Sequence, residues 1–349
     1  MKNKILLITP GFPKDENDNT CVPYLQDYII ALSKKIGVEN IKVISTQYPF
    51  KKINYFWNGI EVIPSGGENK KSFHYYFTLK RTMKNISRLF KKENYVVHAF
   101  WLGEAAFIGN RTAKKYFTHL IVTLMGQDVK PGNRVMQYLQ RETTWFVALS
   151  NNQAAIFHNN YKMEPDDIIP FPIPTIDPNT LNFTREIDLL FAGSLIDVKQ
   201  PFQFISIVKK LKNEFPDIKA VMAGGGNLSE KIKQQIEAEQ LSENIKLTGT
   251  VERPKMFELM SRSKILVHPS AFEGQCLVYS EALAHGMYVL SYDVGRIEST
   301  EKHQICLSEQ EFCDKTYNLL TSELNFTPLV FINPEETVNS YCKLYYPEK

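Results

Sequence analysis

The sequence predicts an α/β protein made of two Rossmann-like domains that face a cleft. Short apolar runs rich in β-branched residues alternate with helical patterns from the N-terminus onward. Four prolines fall within residues 168–178, which marks a linker, and the alternation begins again after them. The length of 349 residues also suits two domains of ~100–200 residues each.

The first array predicts an N-terminal domain over residues 1–175. Its strands are continuous apolar runs, as expected where helices cover both faces of a parallel sheet. The predicted strands are 4–9, 41–45, 95–100, 120–125 and 145–150, and the first helix is 22–35.

The second array predicts a C-terminal domain over residues 176–333. Its predicted strands are 188–192, 219–223, 245–247, 265–268 and 288–292, and its helices are 201–212, 229–240, 255–261 and 277–284. In the remaining segment, 334–349, the Asn333-Pro334 pair is typical of a helix start and predicts a helix over 334–346. That helix either caps the second domain or crosses back to the first.

Composition and charge exclude several classes of protein. Hydrophobic residues make up 43% and charged residues 23%, which excludes a disordered or collagen-like chain. Residues 1–175 carry 23 Lys/Arg and 14 Asp/Glu, a net charge of +9, and residues 176–349 carry 18 Lys/Arg and 24 Asp/Glu, a net charge of −6. The first half is therefore basic although the whole chain has a net charge of only +3. Five cysteines without a C-x-x-C pair argue for reduced thiols and against a zinc ribbon.

The strongest motif follows the predicted strand that ends at His268. A turn with Glu273 and Gly274 leads into a helix that starts near Cys276, and Glu281 lies inside that helix. Helix N-termini bind anions, glycine permits close backbone approach, and carboxylates accept hydrogen bonds from hydroxyls. A nucleotide sugar offers ribose, diphosphate and sugar in that layout. Two glutamates eight apart are by themselves more often surface charge, but their place at the carboxyl ends of strands favours a site.

This segment resembles the retaining glycosyltransferases of family 4, whose E-x7-E signature matches Glu273 and Glu281. The resemblance is strong over about residues 186–300 and weaker over 1–150. It implies the GT-B fold, with the donor nucleotide bound mainly by the C-terminal domain. It also implies that Glu273 contacts the donor sugar and Glu281 the ribose. The family's backbone contacts to the diphosphate fall on the residues after Glu-Gly, here Gln275, Cys276 and Leu277, and Gly274 lets the backbone approach the ligand closely.

The family also has a phosphate-neutralising loop, usually Gly-Arg-Leu followed by Lys-Gly. Gly193, Ser194 and Lys199 stand in the corresponding places of this chain. A diphosphate leaving group needs positive charge as the glycosidic bond breaks, so the resemblance assigns Lys199 to it. Ser194 replaces the usual arginine, and Arg253 or Arg296 is the candidate for the missing cation.

Two further sites depend on weaker signals. Gly224 and Gly225 lie between a strand and a helix, where glycines suit close approach to a nucleotide, although a tight turn uses the same residues. Asp128 matches the end of the family's His-Gly-x-Asp stretch and is our catalytic candidate in the first domain. Met125 stands where many relatives have a histidine. His98, at a strand end, is more often a packing residue than a functional one.

The segment from Leu79 to Lys92 predicts an amphipathic helix with a basic face. Such a helix rests on anionic lipid, or it is a domain helix with a solvated basic face, and both interpretations stay open. Nucleic acid is not expected as a partner, because no recognised binding motif is present. The chain has neither a signal-peptide core nor the ~20 apolar residues of a spanning helix, which predicts a cytoplasmic protein, free or at the inner membrane face.

Together these patterns predict a retaining, hexosyltransferase-like enzyme that moves a sugar from a nucleotide diphosphate sugar to a hydroxyl acceptor. The acceptor is a sugar or a lipid-linked sugar, in cell-surface polysaccharide or glycolipid assembly, and neither a metal nor another cofactor is expected. Ser194 and Met125 keep a rival open: a weak or inactive nucleotide-sugar-binding partner subunit with the same fold. A sugar-nucleotide epimerase or a phosphorylase is a second rival, which the E-x7-E context disfavours.

Overall fold

The chain divides into two compact units. The structure, a computed structural model, describes residues 4–70, 73–173, 176, 183–295 and 300–347. The first unit runs to Pro172 and resumes at Ile332, and the second comprises Ile173–Phe331. The chain therefore changes units inside the proline-rich segment, of which residues 174, 175, 177 and 178 lie outside the described residues. Over the described part of the chain, no helix is both long and apolar enough to span a bilayer.

The sheet of the first unit has eight strands within the described residues. Its strands are β1 (Lys4–Gly11), β2 (Ile41–Tyr48), β3 (Tyr55–Trp57), β4 (Ile60–Pro64), β5 (Tyr95–Phe100), β6 (Leu120–Thr123), β7 (Thr144–Ala148) and β8 (Asp167–Ile168). They lie in the order β3-β4-β2-β1-β5-β6-β7-β8, in which only β3 and β4 pair antiparallel. The helices of this unit are α1 (Pro23–Ile36), α2 (Phe73–Phe90), α3 (Glu104–Tyr116), α4 (Asn151–Tyr161) and α10 (Pro334–Tyr345).

Both edges of this sheet differ from the sequence prediction. The β3–β4 hairpin is too short to give a periodic signal, and β8 has only two residues, so none of these strands is predicted from the sequence. The Asp166 carboxylate accepts two hydrogen bonds from the Arg141 guanidinium, at 2.6 and 2.7 Å, and one from the Phe146 N–H at 2.7 Å. These tertiary contacts hold the chain against β7, and local propensity does not report them.

The C-terminal helix α10 belongs to the first unit through a buried hydrogen-bonded network. The Tyr345 hydroxyl lies 2.6 Å from the Tyr28 hydroxyl and 2.6 Å from Nδ1 of His98. The other ring nitrogen of His98 lies 2.7 Å from the Thr123 hydroxyl, which in turn lies 3.0 Å from that of Tyr341. Burial lowers the pKa of His98 to about 3, so the ring is neutral. His98 therefore joins α10 to the sheet, as the packing interpretation predicts.

The sheet of the second unit has six parallel strands within the described residues. They are β9 (Ile187–Ala192), β10 (Ala220–Ala223), β11 (Ile245–Gly249), β12 (Ser263–His268), β13 (Tyr288–Ser291) and β14 (His303–Ile305). The helices are α5 (Pro201–Leu211), α6 (Ser229–Ala238), α7 (Arg253–Ser261), α8 (Leu277–Ala284) and α9 (Glu309–Leu320).

The strand order β11-β10-β9-β12-β13-β14 is that of a doubly wound Rossmann sheet. Successive strands are added toward one edge from β9 and toward the other edge from β12. The connections that follow β9 and β12 therefore diverge and leave a crevice at the carboxyl ends of these strands. The predicted α/β class with two Rossmann-like sheets is confirmed, and this crevice is where the candidate site of the second unit is expected.

Candidate functional site

The loops after β9 and β12 are joined to each other at the crevice. Lys199 ends a short 3-10 turn that spans Asp197–Lys199. The carbonyl oxygen of Val198 accepts a hydrogen bond from the Ala271 N–H at 2.8 Å and another from the Ser270 hydroxyl at 3.1 Å. The backbone thus fixes the position of Lys199 relative to the loop that carries the E-x7-E motif.

At this junction Lys199 and Glu273 form an ion pair. Oε1 of Glu273 also lies 3.1 Å from Nε2 of His268. The pair is largely removed from water, since the Glu273 side chain is 11% exposed and that of Lys199 is 21% exposed. Lys199 and Glu273, which are 74 positions apart in the chain, therefore meet at the switch point of the sheet.

The cluster keeps Glu273 ionised. Burial alone would raise the pKa of Glu273, but the hydrogen bond from His268 and the charge of Lys199 outweigh it and hold this pKa at about 2. Burial would likewise lower the pKa of Lys199, yet Cys276 and Glu273 keep that pKa above its ordinary value. At neutral pH the cluster is an ammonium beside a carboxylate.

His268 is the residue of this cluster to which the sequence analysis assigns no role. Burial lowers the pKa of His268, so the ring is neutral. Because an ionised carboxylate only accepts hydrogen bonds, Nε2 must carry the ring proton and donate a hydrogen bond to Glu273. The ring is fully buried and stacks on Phe191, with ring centroids 5.8 Å apart. The His-Pro-Ser sequence, which begins at the last residue of β12, is the signal that could have identified it.

Gly295 is a second residue that the sequence analysis leaves without a role. Its φ is +65°, and an added Cβ would lie 2.4 Å from Cβ of Glu273 and 2.9 Å from the backbone nitrogen of Cys276. Its carbonyl oxygen accepts a hydrogen bond from the Cys276 N–H at 3.0 Å. Only glycine fits this contact. Gly295 therefore packs against the start of α8 and occupies one N–H assigned to the diphosphate.

Cys276 completes the cluster without forming a convincing metal site. Ligand atoms of His268, Glu273 and Cys276 lie within 4.8 Å of one another. Burial raises the pKa of the Cys276 thiol far above its ordinary value, whereas a metal needs the thiolate. The Lys199 ammonium already pairs with Glu273, and a cation there would be repelled. The donor set therefore fits a divalent metal poorly, and the absence of a metal requirement stays a prediction.

The glycines after β9 and β10 serve close packing between loops. A Cβ on Gly224 would lie 1.8 Å from the carbonyl oxygen of Gly193, and one on Gly225 would lie 2.6 Å from Oγ1 of Thr250. The Gly193 N–H donates to the Ala223 carbonyl at 3.0 Å. These contacts account for Gly193, Gly224 and Gly225 structurally, and their assignment to a nucleotide stays a prediction. Ser194, beside Gly193, is exposed.

Glu281 lies in α8 and forms a separate ion pair. Nη2 of Arg253, the first residue of α7, lies 2.9 Å from Oε1 of Glu281, and both side chains are mostly buried. Arg253 thus neutralises the carboxylate assigned to the ribose. Leu277 begins α8, so its N–H has no partner within the helix. Gln275 and Gly274 precede it, and Arg296, the other candidate cation, lies outside the described residues.

In the first unit, Asp128 organises its own loop. One carboxylate oxygen accepts from the Leu102 N–H at 2.7 Å and the other from the Gly126 N–H at 2.7 Å, and the Met125 N–H also donates to this carboxylate. Burial raises the pKa of Asp128, although these hydrogen bonds oppose the shift. The geometry explains the residue by loop structure, and its catalytic role stays a prediction.

Comparison with known proteins relates the second unit to a sugar-transferring family. Residues 173–315 match the family model for group 1 glycosyl transferases, and this range includes Lys199, Glu273 and Glu281. An alignment of 335 residues is 22% identical to the phosphatidylinositol N-acetylglucosaminyltransferase gpi3 subunit of Schizosaccharomyces pombe and covers 86% of this chain and 70% of that protein. Four further curated relatives are matched over a smaller part: the alignments with this chain span 17–38% of the length of each relative.

Solved structures establish the fold. Sucrose-phosphate synthase of Thermosynechococcus elongatus superposes with a TM-score of 0.72 at 15% identity, over 97% of this chain and 94% of that one. Anabaena HepE, solved with UDP and glucose, gives a TM-score of 0.69 at 13% identity, over 99% and 96%. The chain has the GT-B fold, as the resemblance implies. The match to the group 1 glycosyl transferase model lies within its second unit.

Proposed function

We propose that this protein is a retaining glycosyltransferase of family 4 that takes a nucleotide diphosphate sugar as donor. The observation that carries the proposal is the buried Lys199–Glu273–His268 cluster at the switch point of the second unit. The cluster lies beside the N-terminus of α8, where an anion is stabilised. An ammonium, an ionised carboxylate and a helix N-terminus are the groups that a sugar diphosphate requires.

The charge state of Glu273 limits what it does. With a pKa of about 2, it neither donates a proton at neutral pH nor removes one efficiently. It is suited to accept hydrogen bonds from sugar hydroxyls, and the neutral His268 holds its orientation. The Cys276 thiol, whose pKa burial raises, is not a nucleophile. The cluster is therefore arranged for binding and electrostatic stabilisation.

The reaction that fits these groups places the charge changes on the donor. The acceptor oxygen forms a bond to the anomeric carbon on the face from which the diphosphate leaves. The bond between the anomeric carbon and the phosphate oxygen breaks, and the departing diphosphate takes the acceptor's proton. Lys199 and the first N–H groups of α8 stabilise the negative charge of the leaving group, and Glu281 with Arg253 holds the ribose.

The donor and acceptor classes are proposed from the similar proteins. HepE was solved with UDP and glucose, which supports a UDP-sugar as the first donor to test. The yeast relative is named for a phosphatidylinositol acceptor and N-acetylglucosamine, which supports a lipid-linked acceptor. A cytoplasmic location and a part in surface glycan or glycolipid assembly follow from the same proposal.

The test combines binding with turnover. UDP-, GDP-, ADP- and CMP-sugars are screened by thermal shift, where a ligand at about 100 times its Kd adds about 2.7 kcal/mol. Lys199→Met should lower donor turnover by about 10²-fold or more. Lys209→Met, which breaks the surface pair between Lys209 on α5 and Glu239 just after α6, is the matched control and should leave turnover unchanged.

The outcomes separate the alternatives. Binding of a nucleotide sugar without turnover across acceptors would favour the inactive partner subunit. A product that keeps the nucleotide would indicate an epimerase, and a sugar phosphate formed from free phosphate would indicate a phosphorylase. Wild-type turnover in Lys199→Met would remove Lys199 from the leaving-group role.

A further inference from the structure

Helix α2 of the first unit exposes aromatic and basic side chains along one face. Thr78, Thr82 and Ile86, four residues apart, are buried against the unit. At about 100° per residue, the opposite side of the helix carries a different set. We call this set the outward face of α2: Phe73, Phe77, Lys80, Lys84 and Arg88.

The aromatic residues of this face are largely exposed to solvent. Phe73 is 80% exposed and Phe77 is 58% exposed. Single exposed apolar residues are normal, but these two phenylalanines lie about one turn apart on the same side of the helix. A helix face that only contacts solvent gains nothing from such rings.

The same face is strongly cationic. Residues 69–92 contain eight lysines and arginines and no aspartate or glutamate. Nearby acids are neutralised elsewhere, since Glu61 pairs with Lys42 at 2.9 Å and Glu93 with Lys4 at 2.6 Å. Among the described residues no ion pair is found for Lys80, Lys84 or Arg88. The positive charge of the outward face is therefore available to an anionic partner.

The edge strand β3 adds a third ring on the same side of the sheet. Phe56 of β3 is 68% exposed and stands opposite Glu61 of β4 in the antiparallel register. Opposite residues of such a pair point to the same face. Glu61 lines a groove of about 420 Å³ together with Asn85 and Arg88 of α2. Phe56 therefore points to the side of the sheet that α2 covers.

We propose that the outward face of α2, together with Phe56, docks on the surface of an anionic lipid bilayer. Aromatic rings partition to the headgroup level, and lysines and arginines are attracted to anionic lipids. A second copy of this chain is a poorer occupant, because a twofold contact would bring one basic face against another. The proposal depends on contacts within the first unit and not on the proposed sugar transfer.

The test is co-sedimentation of the full chain with phosphatidylcholine vesicles that contain about 30 mol% phosphatidylglycerol, against phosphatidylcholine alone. The wild type should bind the anionic vesicles and be largely released at about 1 M NaCl. Lys80→Glu with Lys84→Glu should weaken binding by about 30-fold or more, since each lost charge costs about fivefold. Phe73→Ser with Phe77→Ser should weaken binding to the anionic vesicles at each salt concentration at which the wild type binds.

Matched controls lie in the second unit. Lys231→Glu with Lys233→Glu makes the same charge change on exposed positions of α6, and Leu307→Ser removes an apolar side chain that is 79% exposed. Both should bind vesicles as the wild type does. Unfolding curves check that every variant is folded, which is expected because the changed side chains are exposed.

Three outcomes would overturn the proposal. Equal partition of the wild type into both vesicle types would show that the chain does not recognise anionic lipid. Equal losses in the α2 variants and the α6 control would show a nonspecific charge effect. In the third outcome, the wild type does not bind vesicles but self-associates in sedimentation velocity, and Phe73→Ser with Phe77→Ser abolishes this self-association. That result would assign this face to a second copy.

Discussion

Replacing Glu273 by glutamine tests the electrostatics of the cluster directly, because the amide has the shape of the carboxyl group without its charge. The folded chain holds the pKa of Glu273 at about 2, against an ordinary value of 4.5. That difference makes the ionised group about 3 kcal/mol more favourable in the folded state. At neutral pH Glu273→Gln should therefore destabilise the second unit by up to about 3 kcal/mol, because Lys199 keeps its charge without a partner.

The pH dependence has a definite sign. A carboxyl group with a depressed folded-state pKa contributes stability that is complete above pH 4.5 and is lost as the pH falls toward 2. The gap between wild type and Glu273→Gln should thus be constant from pH 7.5 down to about 5.5. It should shrink by about 1.4 kcal/mol on lowering the pH to about 3.5, where the unfolded carboxyl group is mostly protonated.

Hydrogen exchange measured by mass spectrometry reports the second unit by itself. The slowest amides of β9 and β12 should exchange about 10²-fold faster in Glu273→Gln at neutral pH. Tryptophan fluorescence provides an internal reference, because all three tryptophans lie in the first unit: Trp57, Trp101 and Trp145. That signal should be unchanged.

Glu258→Gln is the matched control in the same unit. Glu258 pairs with Lys255 at 2.7 Å and with Arg262 at 2.9 Å, but these groups are partly exposed, so the loss should stay below about 1 kcal/mol. A Glu273→Gln variant as stable as the wild type, or a gap that does not change with pH, would refute the reasoning from the buried cluster.

Three further substitutions probe other contacts. Glu281→Ala should weaken UDP binding in calorimetry by about tenfold, and unchanged affinity would remove Glu281 from the ribose role. Tyr345→Phe leaves His98 and Tyr28 without their shared partner and should cost about 2 kcal/mol in unfolding followed by tryptophan fluorescence; an unchanged midpoint would argue against the network. Gly295→Ala places a Cβ 2.4 Å from that of Glu273 at a φ of +65° and should lower both thermal stability and nucleotide binding. Unchanged thermal stability and nucleotide binding in Gly295→Ala would show that the loop accommodates the added Cβ.

The sequence is informative wherever the signal is local. Apolar strands such as Ile5–Ile8 can be predicted from composition, because a strand that is covered on both faces does not alternate between apolar and polar residues. The glycine turn and helix start around Gly274 are likewise readable from residue type. The short β3–β4 hairpin and β8 are not, because tertiary contacts such as those of Asp166 hold them in place.

The same division applies to the candidate site. Residue types and spacing single out Lys199, Glu273 and Glu281, but they give neither the ion pairs nor the charge states. Those depend on the order of strands, since β9 and β12 are neighbours in the sheet although some 70 residues separate their loops. They depend also on burial, which makes His268 neutral and lets it orient Glu273.

By itself the sequence determined the α/β class, the two arrays and the loops of the candidate site, because periodicity and turn residues act over a few positions. Only the tertiary structure decided that α10 joins the first unit, that Glu281 pairs with Arg253, and that Gly295 packs on Glu273. The physical reason is that ionisation, close packing and shared hydrogen bonds depend on distances between residues far apart in the chain.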